Sequence, residues 1–130
     1  MKTFVHGYKD MSKVPDTAQW ILCECDDDYL VKNQSTADRL IRECLVECGC
    51  KNITEPAYGD NLIQAAAAGV FIWDGKDADT FKIMRSLLAA DKHIDVVFVS
   101  DGLGYGVNNI QDLKDVMEAE GIDMKDFVGC

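Results

Sequence analysis

The sequence predicts an α/β fold: a single three-layer α/β/α domain on a five-stranded, mostly parallel sheet. Three observations carry that reading. Short apolar runs alternate with helix-period stretches from Lys2 to Val99. The run Val70-Phe71-Ile72-Trp73 is apolar throughout, as strands covered on both faces are. It then breaks into Asp74-Gly75-Lys76 and restarts at helical period near Thr80, so a strand, a polar turn and a helix start follow one another. In a parallel sheet that turn opens onto the crevice at the strands' carboxyl ends, where ligands bind.

Each element has its own cause. Lys2 to Tyr8 alternates as a strand ending at Gly7. Pro15 suits a helix first turn with Asp16 beside the positive dipole end, and Ala18, Ile21, Leu22 and Cys25 fall at three- and four-residue spacing. Asp26-Asp27-Asp28 ends that helix. Tyr29-Leu30-Val31 is a short buried strand, and Ser35 or Thr36 caps a helix with Ala37, Leu40, Ile41, Cys44, Leu45 and Cys48 on its apolar face. Gly49 is its stop. Asn52 to Pro56 forms a weaker strand, and Asn61 to Ala68 a short alanine-rich helix ended by Gly69. Val70 to Trp73 is the central strand, Thr80 to Lys92 the next helix, and Ile94 to Val99 the fifth strand. Residues 1–100 thus make the core, and 101–130 a helical extension that packs on it or on a partner.

Composition bounds the function. At 48% hydrophobic and 28% charged, the 130-residue chain is globular and long enough to bury a core. A net charge of −10, from 23 acidic and 13 basic residues, repels phosphate backbones and argues against nonspecific nucleic-acid binding. No apolar run approaches the roughly 20 residues of a membrane span, and Met1 to Val5 passes into His6-Gly7 too soon for a signal peptide, so the expected location is cytoplasmic. The six cysteines contain no Cys-x-x-Cys, and His6 and His93 lie far from them, so zinc-ligand spacings are missing. All six are expected as reduced thiols, with Cys130 exposed.

The order Lys2-Thr3-Phe4-Val5-His6-Gly7-Tyr8, then Asn33-Gln34-Ser35-Thr36-Ala37-Asp38, then Gly69 to Lys76 with Thr80, resembles the small stand-alone members of the SLOG superfamily. These are Rossmann-like nucleotide-binding domains related to the Smf and LOG proteins. The resemblance spans residues 2 to 100, and its most specific piece is Ile72-Trp73-Asp74-Gly75-Lys76 ahead of Thr80. It implies that three turns converge on one nucleotide-derived ligand. Gly7, Tyr8, Lys9, Asn33, Asp38, Trp73, Asp74, Gly75 and Thr80 would line the pocket, with Tyr8 or Trp73 stacking on a base and Lys9 near its phosphate.

The chain also departs from that pattern. Tyr8-Lys9 stands where relatives favour Ser-Arg, and Lys9 offers only a point charge. Thr36 replaces a glycine and narrows the approach to the backbone, so only Ala37 and Asp38 carry over from that turn. Asp77-Ala78-Asp79 replaces Ser-x-Gly and puts two carboxylates where a phosphate would sit. The LOG-type Pro-Gly-Gly-x-Gly-Thr signature and its glutamate are absent. Binding without efficient catalysis is the expectation, with no cofactor or metal implied. A phosphoribohydrolase-like enzyme and an acidic protein-interaction module, an inhibitor or decoy, are the alternatives.

Elsewhere, Gly102-Leu103-Gly104-Tyr105-Gly106 lacks dinucleotide-loop spacing and reads as a flexible connector. His6 and Asp101 sit at strand ends without an identifiable catalytic partner. Asn108-Asn109 caps Ile110 to Glu120, whose Ile110, Leu113, Val116 and Met117 form one stripe, and Gly121 stops it. Met124, Phe127 and Val128 need burial, against the sheet or in a homo-oligomer.

Overall fold

The computed structural model describes residues 2–24, 28–56 and 61–127. Its sheet is assembled from β1 (Lys2–Gly7), β2 (Asp28–Leu30), β3 (Ile53–Thr54), β4 (Ala68–Trp73), β5 (His93–Phe98) and β6 (Gly104–Val107) in the spatial order β3-β2-β1-β4-β5-β6. Neighbours pair in parallel from β3 to β5, with Val5 opposite Val70 and Phe71 opposite Val96, while β6 runs antiparallel to β5. The chain therefore steps outward from β1 to β3, returns to β1's other side at β4, and continues outward. That reversal opens a crevice at the carboxyl ends of β1 and β4.

Helices α1 (Asp16–Glu24) and α2 (Thr36–Glu47) cover one face, and α4 (Ala78–Ala89) and α5 (Ile110–Ala119) the other. The short α3 (Leu62–Ala65) precedes β4. The strand pleat sorts side chains between the faces: Val5, Val70, Ile72 and Val97 go to the first, and Phe4, Phe71, Trp73 and Phe98 to the second. Two of the glycine helix stops read from sequence close as expected. Gly49 (φ +84°) follows α2 with Cys50 N–H donating to Leu45 O and Gly49 N–H to Val46 O, and Gly121 (φ +74°) repeats the arrangement after α5.

Four expectations are corrected. The segment Gly102–Gly106 is not a mere connector: its latter part forms β6, a sixth strand, because β5 offers it an open edge that local propensity does not reveal. Gly69 does not end a helix but lies within β4, where a Cβ would come within 2.6 Å of Phe71 and 3.0 Å of Leu87. The alanine-rich helix is accordingly shorter than expected. Of the two settings expected for Phe127 the chain's own core is the one observed: in the 3₁₀ turn Met124–Phe127 it stacks on Phe81 at 4.7 Å between ring centroids, while Val128 lies outside the described residues.

The fourth correction concerns the thiols. Cys23 on α1 and Cys48 at the end of α2 form a disulfide, their Cα atoms 5.2 Å apart across 25 residues. Ligand-spacing rules look for local pairs, whereas this one is made by two helices lying side by side on the sheet. Closing a loop of that length stabilises the fold by about 3–4 kcal/mol in the chain-entropy account. Cys44 is a buried free thiol and Cys50 a half-buried one, while Cys25 and Cys130 lie outside the described residues.

Candidate functional site

The crevice at the switch point has a volume of about 390 Å³. β1 contributes His6 and Gly7, the turn after it Lys9, the stretch after β2 Lys32, Gln34 and Ser35, α2 Asp38, and α4 with its cap Asp77, Asp79, Lys82 and Ile83. It lies near the small end of the range for small-molecule sites and is built from convergent strand ends. A larger hollow of about 620 Å³ between α5 and the C-terminal turn is formed by the single local segment 114–125. Its charged lining residues are all exposed.

Local hydrogen bonding explains why the crevice is shaped this way. At α2, Ser35 Oγ accepts from Asp38 N–H at 3.1 Å, while Asp38 Oδ2 accepts from Gln34 N–H and Ser35 N–H at 3.0 and 3.2 Å. This capping box keeps Asp38 buried at 3% exposure without leaving its charge unpartnered. At α4, Asp77 caps the helix through Oδ1, accepting from Asp79 N–H at 3.0 Å, and its Oδ2 accepts from Lys9 N–H at 2.8 Å. One side chain thus ties the first turn to the fourth. Asp74 Oδ1 takes the Lys76 and Asp77 N–H groups at 2.8 and 2.9 Å. Backbone donors that commonly hold a phosphate are here engaged by the chain's own carboxylates.

The side-chain cations are differently placed. The ion pairs among the described residues are Arg39–Glu43, Arg42–Glu55 and His93–Asp95, and none involves Lys9, Lys32 or Lys82. Lys32 follows a strand end braced from α2, since Arg42 donates to Val31 O at 2.6 Å and to Lys32 O at 3.3 Å. Three lysines therefore line a crevice in which two of the three aspartates, Asp38 and Asp77, already accept backbone N–H groups.

His6 forms part of the wall beside Phe4 and Phe71, with ring centroids 5.9 and 6.2 Å away. Burial lowers its pKa, Lys32 adding to that and Asp38, Asp77 and Asp79 opposing it, which favours the uncharged ring. Burial, followed by Asp74 and Asp10, raises the Tyr8 phenol.

Of the nine residues expected in the pocket, Gly7, Lys9 and Asp38 line the crevice. Gly7 leaves room there for Met11 and Ala37, since a Cβ would lie 2.9 Å from Met11 Sδ and 3.3 Å from Ala37 Cβ. Tyr8 is half-buried against both cores, its N–H bonded to Ile72 O at 3.0 Å, and is not part of the lining. Asn33 does not line the crevice but an open hollow adjoining it, formed with Thr36 and Arg39 and sharing Gln34 and Ser35 with the crevice. Trp73 is closed off from any base: it is 0% exposed, packs on Phe81, Phe98 and Phe127, and donates its indole N–H to Asp77 O at 3.0 Å. The pleat alternation puts it in the core. Asp74 shapes the turn, Gly75 (φ +78°) packs beneath Ile122, and Thr80 is fully buried on α4. Asp101 closes the β5–β6 turn by accepting from Leu103 N–H. Sequence reading missed Lys32 and Lys82 as lining residues; the first was discoverable as the residue between a strand end and a capping box, the second carried no local signal.

Among the described residues no group of three or more His, Cys, Asp or Glu side chains is arranged to hold a metal ion, and no helix is long and apolar enough to cross a membrane. The family models, the curated proteins and the solved structures offer no match to this chain.

Proposed function

We propose that the crevice binds an anionic, nucleotide-derived small molecule, with Lys9, Lys32 and Lys82 rather than backbone amides attracting its phosphate. The supporting observation is the set of three lysines that have no carboxylate ion-pair partner among the described residues and line a cavity at the sheet's reversal point. Lysines act as point charges on flexible stems, so they tolerate variation in where the phosphate sits. The reading is one of binding rather than turnover. Among the described residues His6 has no hydrogen-bonded carboxylate to make it a base, and the one hydroxyl lining the cavity, that of the exposed Ser35, is engaged as a cap.

The test is a thermal-shift and calorimetry panel of nucleoside mono- and diphosphates, cyclic nucleotides and ADP-ribose, since ligand binding stabilises the folded state by mass action. Lys9→Ala should weaken a phosphorylated binder about tenfold and leave folding stability within about 0.5 kcal/mol. Its backbone bond to Asp77 needs no side chain. Unchanged affinity in Lys9→Ala removes this anion contact.

Exposed apolar residues on the α1–α2 face favour a second reading, a protein-interaction surface. Trp20 is 66% and Val46 64% exposed there. Trp20→Ala separates the two readings: it should disturb capture of a protein partner and leave nucleotide binding intact.

A further inference from the structure

His6 carries a feature that the anion contact does not use. Its Nδ1 is wholly buried and has no hydrogen-bond partner among the described residues, although the ring belongs to the crevice wall. The neighbouring rings of Phe4, nearly parallel at 24°, and Phe71 offer no acceptor of the strength of an oxygen. A proton on Nδ1 would therefore be a buried donor without an acceptor, which proteins avoid more strictly than an unused lone pair. The Nε2 edge is the part of the ring left to meet the cavity.

Resting on the binding reading above, we propose that His6 presents one fixed, uncharged N–H, at Nε2, to the crevice and selects ligands that place a neutral acceptor against it. The acceptor would be a ribose or carbonyl oxygen or an aromatic ring nitrogen, beside the anion attracted by the lysines. Such a site recognises a phosphorylated nucleoside and distinguishes it from phosphate alone. The charged groups facing His6 are Lys32 from the stretch after β2, Asp38 from α2, and Asp77 and Asp79 from the start of α4. A neutral ring avoids placing a further positive charge in a partly desolvated wall.

The decisive measurement is the nitrogen-15 shift pattern of the His6 ring in the ligand-free protein at pH 7, which reports tautomer and charge directly. A bare Nδ1 and a protonated Nε2 are expected; an Nδ1–H tautomer or an imidazolium overturns the proposal whether or not any ligand binds. Titration with adenosine monophosphate and with inorganic phosphate then tests selection. The monophosphate should move the Nε2 resonance, and phosphate should move the lysine side-chain resonances while leaving His6 in place. His6→Leu should weaken adenosine monophosphate about tenfold and leave phosphate unchanged, whereas His6→Gln, which keeps a donor, should stay within about threefold of wild type. Equal losses for both probes in His6→Leu, or a monophosphate that binds without moving Nε2, overturn ligand selection by His6. If neither probe disturbs the lysines or His6, the nucleotide-binding reading and His6 selection both fall, while the ring's tautomer remains decided by the ligand-free spectrum.

Discussion

The two faces of the sheet are made of the same strands yet cohere by different means. On the α4–α5 face, Phe4, Phe71, Trp73, Phe81, Phe98 and Phe127 share one core and form two ring groups, Phe4 on Phe71 and Trp73 on Phe81, Phe98 and Phe127, the Trp73–Phe127 centroids lying 5.5 Å apart. On the α1–α2 face, Val5, Ala18, Leu22, Ala37, Ile41 and Leu45 pack as small aliphatic side chains, and the Cys23–Cys48 bond joins the covering helices. Large rings bury much area per residue and lock one another's orientation, whereas a thin aliphatic layer gains from a covalent tie. Each face also carries one histidine. His6 lies with Phe4 and Phe71 at the crevice; His93 follows the alternation of Val97 to the opposite face, where its ring meets Asn108 and Asp95 at 2.8 and 3.1 Å.

Breaking the aromatic face should have the largest effect. Trp73→Ala removes the central ring and its indole bond to Asp77 O, and should cost about 3–5 kcal/mol in denaturant unfolding. A loss below about 1 kcal/mol would mean that the layer repacks like the aliphatic one. Opening the tie on the other face comes next. A Cys23→Ser/Cys48→Ser double variant should lose about 3–4 kcal/mol by the same measurement, and wild type treated with a reductant should match it. Near-ultraviolet dichroism of the Trp73 layer should persist in both if the faces are independent.

The crevice sits where the faces meet, and Asp77 tests that junction. Asp77→Ala removes the cap of α4 and the bond to Lys9 N–H together, so a loss of about 1–2 kcal/mol is expected in thermal or chemical unfolding. Asp77→Asn should recover part of it, because an amide oxygen still accepts.

The histidines should give the smallest effects, of opposite sign. Burial lowers the folded-state pKa of His6, so its contribution to stability is present above the ordinary value of 6.5 and falls away as pH drops below it. For His93 burial pulls the pKa down, but hydrogen bonds to Asn108 and Asp95, with the Asp95 charge, raise it overall. Its contribution is full below 6.5 and is lost as pH rises through the raised folded value. A half-exposed pair of this kind contributes on the order of 0–1 kcal/mol. Unfolding measured from pH 5 to pH 8 should show the advantage of wild type over His93→Gln shrinking with rising pH, and its advantage over His6→Gln growing. The same slope in both variants would contradict the difference in environment.

The sequence by itself determined the local features, because their causes are local. Alternation and apolar runs marked the parallel strands, and Phe4, Leu30, Ile53, Ile72 and Val97 all lie in them. Ser35, Asn109, Gly49 and Gly121 announced helix ends, since caps and left-handed turns depend on one or two side chains. Gly7, Lys9 and Asp38 could be placed at the crevice because turns after parallel strands share one edge. What only the tertiary structure decided involves pairs distant in sequence. β6 exists because β5 has a free edge, and Cys23 meets Cys48 because α1 lies beside α2. Trp73, at a strand's carboxyl end, belongs to the core because the pleat turns it toward Phe127, a residue 54 positions away in sequence. Lys32 and Lys82 join the crevice through the sheet order, which places the ends of β2 and β4 on either side of β1. Local patterns carry no term for such contacts; only the packed layers supply it.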